Sequence, residues 1–378
     1  MERKGADVPG GMDRSWIRPW RGLLTLLRAG LWEREVDDIA CFPLSGEEWK
    51  QLFRLARQQT VTGIAFRGLQ ALPEELLPAP VERVRWTAVV DAVERRNRLM
   101  NRTLADLYGE FRARGLDPIL QKGQGVAAFY ADPMLRECGD IDLCFGDSRA
   151  SERAAECMHR LGAVARRMPD GSLFYRWQGV EIEHHTRLFD LHNPFLQRDA
   201  RHLIREKGSV RMALPGDAGH TVTVPSPFLN LLLLDLHILK HALGRGIGLR
   251  QLCDMARACH RLHAEVDSAE MKACCRRWGL GRWNPMLHAF LTDCLGLPAG
   301  MLPYAELAPG ADPLLEIVRR GGNFGFYREG REVAGMNRWH RKMETARAFG
   351  ANLRFALRYA PKEAFWIFTG LMEGQFRS

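Results

Sequence analysis

Apolar residues recur at intervals of three and four residues over long stretches near both ends of the chain. This spacing is typical of amphipathic helices, which bury one face and expose the other. The longest such stretch, residues 81–112, predicts one long helix that ends before Gly115. Ser45 precedes Glu47 and Glu48 and predicts the start of another helix, because a serine cap followed by acidic residues stabilises a helix N-terminus.

Apolar and polar residues alternate in the middle of the chain, and this period of two is typical of strands with one buried face. Such runs lie at 119–120, 140–145, 163–167, 173–177, 180–185 and 221–224. Short helices are predicted between them, at 126–130 and 149–161. The mixture predicts a small mixed sheet with helices before and after it, so the fold class is predicted to be α+β.

The change of pattern predicts four regions along the chain. Residues 1–13 are rich in glycine and charged residues and are predicted to form a disordered tail. They are followed by a predicted N-terminal helical region (14–115), an α/β core (116–225) and a C-terminal helical domain (226–378). A chain of 378 residues can bury a large core, so about two or three subdomains are expected.

Two carboxylates, Asp140 and Asp142, stand one residue apart in an alternating run. Residues two apart on a strand point to the same face, so both side chains are expected to aim at one place. Close carboxylates repel each other unless a cation lies between them. Magnesium favours carboxylate oxygens together with substrate phosphates, and phosphoryl-transfer enzymes hold two such ions about 3.5–4 Å apart. The pair therefore predicts a metal site, with a solvated strand face or a turn as the ordinary alternative.

A glycine-rich turn with a lysine precedes these carboxylates. Lys122, Gly123, Gln124 and Gly125 connect a short predicted strand to a short predicted helix. Backbone N–H groups in such a turn and at a helix N-terminus can face a phosphate, and the lysine adds a positive charge. Phosphate-binding groups and metal ligands are thus expected in one neighbourhood.

The same turn also fits a different and looser pattern. Gly123, Gly125 and Ala128 match the dinucleotide-binding sequence G-x-G-x-x-A. The two aspartates even lie near the distance expected for a ribose-binding acid. That motif requires a full-length helix and a single acidic residue within a parallel unit, whereas here the predicted helix is short and two acids alternate. The dinucleotide interpretation is therefore less favoured.

A further acidic group is expected from the run Val180–His185. Glu181, Glu183 and His185 share one face of this predicted strand. If the strand neighbours the one that carries the aspartates, one of the two glutamates completes a set of three carboxylates. The spacing alone leaves open which glutamate it is.

These segments together resemble the uncharacterised nucleotidyltransferase family, within the polymerase-beta-like nucleotidyltransferase superfamily. The matching residues of the central segment are Lys122-Gly123, Tyr130, Asp132-Pro133, Leu135-Arg136 and Gly139–Leu143. Further matches are Glu183, His185, Arg187, Leu188 and Phe189, then His241, Leu249-Arg250, Leu252 and Asp254, and finally Gly321–Gly325. The resemblance spans approximately residues 40–330, is strongest over 116–145, and favours Glu183 over Glu181 as the third carboxylate.

The resemblance implies a metal-dependent nucleotidyltransferase with a small mixed-sheet core. Such an enzyme moves a nucleoside monophosphate from an NTP, with ATP as the first expectation, to an acceptor that can be a small molecule, a peptide or RNA. Asp140, Asp142 and Glu183 are implied as catalytic residues and as ligands of Mg²⁺, with Mn²⁺ as the alternative ion. Glu183 would bind the ion that activates the acceptor.

Nucleotide-binding residues are implied in the same way. Lys122, Gly123 and Gln124 would hold the triphosphate, with Arg136 as an additional positive charge. The wider superfamily usually has Gly-Ser or Gly-Gly at this turn, whereas this chain has Gly-Gln. That departure motivates an alternative function, a catalytically inactive nucleotide- or RNA-binding module with the same fold. The family also suggests a role as an accessory enzyme in making a polysaccharide or a peptide natural product.

Composition and charge indicate the kind of substrate and the cellular compartment. Fifty-four Lys and Arg against 45 Asp and Glu give a net charge of +9, which helps to attract an anionic substrate. Nine cysteines without a CxxC pair favour reduced thiols and a cytoplasmic protein, and they disfavour a structural zinc site. No apolar run in the sequence is long enough to be expected to span a membrane.

Two further clusters have ordinary explanations as well as functional ones. His237 and His241 are one helical turn apart and could bind a metal, but core or substrate-side positions are favoured. Arg338–Lys342 and the aromatic, arginine-rich residues 347–359 predict a basic C-terminal helix that could contact RNA or a membrane surface. Docking of this helix on the protein itself, with solvated arginines, is favoured.

Overall fold

Helices precede and follow one sheet in this computed structural model, which describes residues 17–168, 171–191, 193–244, 246–321, 350, 352–366 and 369. The first helices are α1 (Ile17–Trp32), α2 (Gly46–Gln58), α3 (Thr62–Leu69) and α4 (Pro80–Arg112). The strands are β1 (Ile119–Gln121), β2 (Ile141–Cys144), β3 (Arg166–Arg167), β4 (Leu173–Trp177), β5 (Val180–His185), β6 (Ser209–Leu214) and β7 (Asp217–Pro225). Among them lie α5 (Gly123–Ala127), α6 (Ser148–Arg160) and α7 (Pro194–Lys207). After the sheet come α8 (Pro227–Leu243), α9 (Leu249–Leu262), α10 (Ser268–Arg277), α11 (Asn284–Ala289), α12 (Asp312–Gly321) and α13 (Leu353–Tyr359).

This arrangement confirms the predicted α+β class with helical flanks. Some of the predicted features are not covered by it. The tail at 1–13 and the basic stretch Arg338–Lys342 lie outside the described residues, as does most of the Gly321–Gly325 match. The boundaries of the four predicted regions stay a prediction.

The sheet has seven strands in the order β3-β4-β5-β2-β1-β7-β6. β2 is parallel to β5 and β1 is parallel to β7, while the other neighbouring strands are antiparallel. β2 lies in the middle, and its Asp142 stands opposite Gln121 on β1 and opposite Glu183 on β5. The topology thus brings two acidic residues from separate segments of the chain next to each other.

The local predictions for the sheet are largely confirmed. β4 and β5 coincide with predicted strands, and β2 lies within the predicted run 140–145. The run 221–224 is the last part of the longer β7, which pairs with β6. Alternation does not predict β6, because its residues are mostly exposed on both faces. It does not predict α7 either, because only Ala200 and Leu203 of that helix are buried.

Two predicted helix features are confirmed by the structure. The long helix is α4, which ends at Arg112. Ser45 caps α2 through a reciprocal pair of hydrogen bonds, since its Oγ accepts from the Glu48 N–H and its own N–H donates to Glu48 Oε2 at 2.8 Å. A cap of this kind stabilises a helix by about 1 kcal/mol. Such ends depend on a few neighbouring residues, so local sequence predicts them.

The apolar residues form two clusters, one on each face of β2. Ile141 and Leu143 pack with the second half of α4 and with α6. Cys144, on the face that carries Asp142, belongs to the cluster built by α1–α3, α8 and α9. Helices from before and after the sheet therefore share one core. None of the described helices is long and apolar enough to cross a membrane, and the apolar α8 is buried in this core instead.

Helices α1 and α3 touch backbone to backbone because glycines lie at their contact. A Cβ on Gly30 would overlap the carbonyl oxygen of Ile64, and a Cβ on Gly68 would overlap that of Leu26. Only a residue without a Cβ fits at either position. The close contact fixes the first helices of the shared core against each other.

Asp235 on α8 is an acidic residue inside this core. Its side chain is 2% exposed, and its Oδ1 accepts a hydrogen bond of 2.6 Å from the Trp283 indole. Burial raises the pKa of Asp235 to about 7, although hydrogen bonds from Trp283 and Asn284 oppose the shift. Because an unfolded aspartate has a pKa of about 3.9, the folded protein holds this proton more tightly than the unfolded chain does.

We expect the contribution of Asp235 to the free energy of unfolding to fall as the pH rises from about 4 to about 7, because the unfolded chain then releases a proton that folded Asp235 retains. The Asp235→Asn variant avoids this loss and keeps an oxygen for Trp283. It should be more stable than the wild type by up to about 4 kcal/mol at pH 8, and about equally stable at pH 4. Urea unfolding at the two pH values measures the difference. A difference that does not change with pH would contradict the shifted pKa.

Candidate functional site

A cleft of about 410 Å³ opens between the sheet and the helices α8 and α9. Asp140, Asp142 and Glu183 line its sheet side, and Lys122 and Gly123 lie beside them. The side chains that line the opposite side include His237, Lys240, His241 and Arg250. The structure therefore brings the three predicted carboxylates and the predicted lysine–glycine turn into one cavity.

Asp142 and Glu183 lie side by side on the parallel strands β2 and β5. A carboxylate oxygen of each and a ring nitrogen of His185 lie within 4.8 Å of one another. His185 is part of the sequence pattern as a neighbour of Glu183, but alternation alone does not identify it as a possible ligand. Its nitrogen reaches the carboxylates because β5 directs residues 183 and 185 to the same face.

The structure distinguishes the two glutamates of β5. Glu183 stands beside Asp142, and its Oε1 accepts a hydrogen bond of 2.6 Å from the Ser172 hydroxyl. Glu181 instead forms an ion pair of 2.9 Å with Arg176, in which both side chains are exposed. Of the two, only Glu183 lines the cleft.

Both oxygens of Asp142 already have a partner. Lys122 Nζ lies 3.1 Å from Oδ2, and His185 Nε2 lies 2.9 Å from Oδ1. Burial alone would raise the pKa of Asp142, but the charge of Lys122 and the hydrogen bond from His185 hold that pKa well below its usual range. Burial would lower the pKa values of Lys122 and His185, but the Asp142 carboxylate raises both. The buried carboxylate is thus ionised and compensated from two sides.

Asp140 lies directly before β2 and, unlike Asp142, is exposed to solvent in the cleft. The walls of the cleft still displace part of its water, and this desolvation together with the charge of Asp142 raises the pKa of Asp140. The pKa values of the two aspartates are therefore shifted in opposite directions, as expected for neighbouring carboxylates. A cation between them would relieve the repulsion.

A tight turn between β1 and α5 brings Lys122 into the cleft. Lys122 has φ of 49° and Gly123 has φ of 45°, so two consecutive residues adopt the left-handed conformation that favours glycine. A Cβ on Gly123 would lie 3.6 Å from the carbonyl oxygen of Asp140. The helix that follows begins at Gly123 and not at 126 as predicted, because Gly123 belongs both to the turn and to the first residues of α5. The turn places the lysine against both aspartates.

Gln124, predicted to help to hold a triphosphate, does not direct its side chain into the cleft. The side chain is 2% exposed, and its Nε2 donates a hydrogen bond of 2.6 Å to Asn101 Oδ1. Its Oε1 accepts one of 2.7 Å from the Cys138 thiol. The glutamine therefore attaches α5 to α4, and only its backbone is left for a phosphate contact.

Arg136 lines the cleft, but its charge is already compensated. Its Nε and one terminal nitrogen donate to Oδ1 and Oδ2 of Asp254, each at 2.7 Å, and both side chains are 4% exposed. The Tyr130 hydroxyl donates to the same Asp254 at 2.8 Å. This pair joins the segment before β2 to helix α9. The arrangement favours a role in positioning these elements over the predicted role as a free charge for phosphate.

Helices α8 and α9 supply positive charge on the far side of the cleft. Lys240 pairs with Asp190 at 2.6 Å, and Arg250 donates to the Glu137 carbonyl at 2.8 Å. Arg250 belongs to the family pattern, so the resemblance contained a signal for it. Lys240 and Asp190 carry no such signal, since a single lysine on an apolar helix has no distinctive spacing. The cleft thus has an acidic side on the sheet and a basic side on the helices.

The histidine pair of α8 also faces the cleft. The ring centres of His237 and His241 lie 4.5 Å apart. Burial and the positive charge of Lys122 lower the pKa of His237 well below its usual range, so this ring is neutral at pH 7. These positions agree with the substrate-side location that the sequence favours.

The donor atoms on the sheet side suit a divalent cation. Asp140, Asp142 and Glu183 offer the carboxylate oxygens that magnesium and manganese prefer. His185 adds a ring nitrogen, which transition metals accept more readily than magnesium does. Strands β2 and β5 position Asp142 and Glu183, whereas Asp140 precedes β2 and lines the cleft outside the group of ligand atoms that lie within 4.8 Å of one another.

A comparison with known protein families matches most of the chain to one family. Residues 45–293 match a family described as uncharacterised nucleotidyltransferase. The chain is also similar to the crystal structure of an antigenic nucleotidyltransferase-like protein from Paracoccidioides brasiliensis, with 15% sequence identity, a TM-score of 0.31, and coverage of 42% of this chain and 75% of that chain. No curated protein matches. Because the family match covers more than half of the chain and contains every cleft residue described above, the chain belongs to the uncharacterised nucleotidyltransferase family.

Proposed function

We propose that this nucleotidyltransferase uses a divalent cation to move a nucleoside monophosphate from an NTP to the hydroxyl group of an acceptor. The observation that carries the proposal is the placement of Asp142 beside Glu183 in a cleft that also contains Asp140 and Lys122. Nucleotidyl transfer needs carboxylates for cations and positive charge for phosphates in one place. ATP is the proposed donor and Mg²⁺ the proposed ion, with Mn²⁺ as its substitute.

The sheet side of the cleft has the catalytic role in this proposal. Asp140, Asp142 and Glu183 are the catalytic residues and the ligands of the cation. When bound, the cation would supply Lewis-acid stabilisation of the charge that develops on the α-phosphate. His185 keeps the Asp142 carboxylate in place through its hydrogen bond of 2.9 Å.

The donor triphosphate is proposed to lie between the turn after β1 and the basic side of the cleft. Lys122 and the backbone of Gly123 contact the phosphates. Gln124 supports the turn from its buried side through α4, and Arg136 supports the cleft wall through Asp254. Two of the four predicted nucleotide-binding residues thus contact the phosphates, and the other two support the turn and the wall of the cleft.

The transfer step is a single displacement at phosphorus. The acceptor hydroxyl oxygen forms a bond to the α-phosphorus, and the bond from that phosphorus to the oxygen bridging to the β-phosphate breaks. Pyrophosphate leaves with the electron pair of the broken bond. The hydroxyl proton passes to the Glu183 carboxylate and from there to water. Glu183 can take this role because it lines the cleft and, from the residues that the structure describes, receives a single hydrogen bond, from Ser172.

A second candidate function is a catalytically inactive nucleotide- or RNA-binding module with the same fold. The contacts of Asp142 favour it, because a carboxylate compensated by Lys122 and His185 does not require a metal. Such a module would bind a nucleotide without a divalent cation and would transfer nothing. The two functions therefore differ in the metal dependence of nucleotide binding.

The Glu183→Gln variant is expected to weaken Mn²⁺ binding in the presence of ATP by at least about tenfold, because a neutral amide removes a negative charge from the ligand set. Glu181→Gln is the matched control, with the same chemical change two residues away on the same strand. It should change the affinity by less than about twofold, since Glu181 pairs with Arg176 at the surface. Calorimetry measures both variants. Equal affinities would exclude Glu183 as a ligand, and ATP binding that does not depend on Mn²⁺ would favour the inactive module.

A further inference from the structure

A second cavity, of about 530 Å³, lies at the carboxyl ends of β2 and β5, next to α7. We call it the arginine pocket and define it by Cys144, Arg187, Leu188, Arg201, Ile204 and Arg205. Its volume is in the range of small-molecule sites, which is about 300–1,000 Å³. It shares no lining residue with the catalytic cleft.

The arginine pocket nevertheless adjoins the cleft along three segments of the chain. On β2, Asp142 lines the cleft and Cys144 lines the pocket, a separation of about 7 Å along a strand. At the end of β5, His185 lines the cleft and the next residue, Thr186, lines the pocket. Further along the chain, Asp190 lines the cleft and Leu191 lines the pocket. The two cavities are therefore neighbours on one face of the sheet.

The register of the strands places the lysine turn and the arginine pocket on opposite sides of Asp142 and Glu183. On β1, Ile119 lines the arginine pocket, whereas Lys122, which follows the strand, lines the cleft. Asp142 pairs with Gln121 between them. The Gln121 amide donates a hydrogen bond of 3.1 Å to the Arg187 carbonyl and so holds the pocket loop against the sheet. A donor at the lysine turn and a molecule in the pocket would meet at the carboxylates.

The wall of the pocket is apolar inside and positively charged at the rim. Leu188 is buried and Ile204 is partly buried, and they form part of its apolar lining. Arg187, Arg201 and Arg205 are exposed, and none of their guanidinium groups forms a hydrogen bond or an ion pair with another described residue. Asp147 also lines the pocket, but its carboxylate caps α6 through the Ala150 N–H. The rim therefore carries more positive than negative charge, with three arginines against the carboxylate of Asp147.

Solvated arginines are common on protein surfaces, so the feature that distinguishes the rim arginines is the cavity that they line together. Some exposed arginines of the same α/β core have acidic partners, such as Arg167 with Glu152 and Arg176 with Glu181, whereas Arg149, Arg160 and Arg198 have none among the described residues. The rim arginines surround an apolar cavity and have none among the described residues. Arginine binds carboxylates and phosphates through two parallel hydrogen bonds, which makes it suited to anchor an anionic group.

We propose that the acceptor of the nucleotidyl group is a small molecule with an apolar body and an anionic group, and that it binds in the arginine pocket with its hydroxyl directed to Glu183. This inference rests on the proposed transfer reaction. The apolar body lies against Leu188 and Ile204, and the anion lies among the rim arginines. The acceptor hydroxyl oxygen bonds to the α-phosphorus, pyrophosphate leaves, and the proton passes to Glu183 and to water.

Two variants on α7 test whether anion binding depends on the arginine pocket or on the overall positive charge of the helix. The double variant Arg201→Gln/Arg205→Gln removes two rim charges and keeps polar side chains. Arg198→Gln is the matched control, because Arg198 is exposed on the same helix but does not line the pocket. All of these positions are exposed, and circular dichroism checks that each variant folds.

The first measurement uses naphthalene probes and needs no knowledge of the natural acceptor. 1-Naphthoate and 1-naphthyl phosphate test a carboxylate and a phosphate on the same apolar body, and 1-naphthalenemethanol is the neutral reference. The wild type and Arg198→Gln should bind at least one anionic probe at least about tenfold more tightly than the neutral one, and the double variant should lose this preference. Equal binding of all probes by the wild type would overturn the proposal.

The second measurement follows transfer from ATP labelled at its α-phosphate to the small-molecule fraction of a cell extract. The double variant should lower transfer by at least about tenfold, whereas Mn²⁺-dependent ATP binding should stay as in the wild type. Unchanged transfer with intact ATP binding would overturn the pocket assignment alone. Failure of the wild type to bind ATP would overturn the proposed function. Label that enters RNA or protein, and not small molecules, would also overturn the pocket assignment.

Discussion

Asp142→Asn is expected to lower the rate of nucleotidyl transfer by at least about 10³-fold, because it removes the central negative charge of the proposed metal site. The amide has nearly the shape of the carboxylate, but it cannot compensate Lys122 and His185, which both lie within 3.1 Å of the carboxylate oxygens. The rate is measured with ATP labelled at its α-phosphate and a cell extract as the source of acceptor. The expected loss is the largest for any single residue of the cleft.

The control for this variant addresses folding, because Asp142 is buried and Asp140 is not. Asp140→Asn changes an exposed side chain and should leave the urea unfolding curve within about 0.5 kcal/mol of the wild type. It should still lower transfer by about 10²-fold or more, since Asp140 belongs to the same ligand set. If both variants fold and both transfer nucleotide at the wild-type rate, the catalytic role of the pair is refuted.

Asp254→Ala is expected to lower the free energy of unfolding by about 3–5 kcal/mol, because it leaves the buried Arg136 guanidinium without its partner. The Tyr130 hydroxyl loses its acceptor at the same time. Both side chains of the pair are 4% exposed, so the guanidinium would remain largely desolvated without its carboxylate. Urea unfolding monitored by circular dichroism measures the loss.

Two further variants show whether this loss comes from the buried charge. Glu181→Ala breaks the exposed pair with Arg176 and should cost less than about 1 kcal/mol. The double variant Arg136→Met/Asp254→Leu removes both charges and should recover most of the stability that Asp254→Ala loses. If the double variant is as unstable as the single one, packing and not the unpaired charge explains the effect.

The strands of the site could be predicted because their alternation is a local property. The period of two identifies β2 and β5 and places Asp140 with Asp142 and Glu181 with Glu183. It does not say that β2 and β5 are parallel neighbours, because that pairing depends on the whole chain between them. The choice between the glutamates follows from the register, in which Glu183 meets Asp142. The family resemblance favours the same residue, because the acidic position of the family pattern falls on Glu183.

Side-chain direction at the turn is what the sequence predicts least well. Lysine, glycine and glutamine in succession suggest three phosphate contacts, but the left-handed backbone at Lys122 and Gly123 turns the Gln124 side chain toward α4. Arg136 has a partner 118 residues away, and no local pattern shows that pairing. The basic side of the cleft could not be predicted for the same reason, because α8 and α9 contact the sheet only through tertiary packing.

The shared core of α1–α3 with α8 and α9 has a consequence for how the protein is made. A ribosome that adds about 5–20 residues per second needs roughly 10 to 40 s to pass from the end of α3 at Leu69 to the end of α9 at Leu262. Throughout that interval the apolar faces of the first helices, including Trp20 and Leu27, have no partner from the second half of the chain. The nascent chain is therefore expected to depend on chaperones during synthesis, and most strongly before α8 emerges.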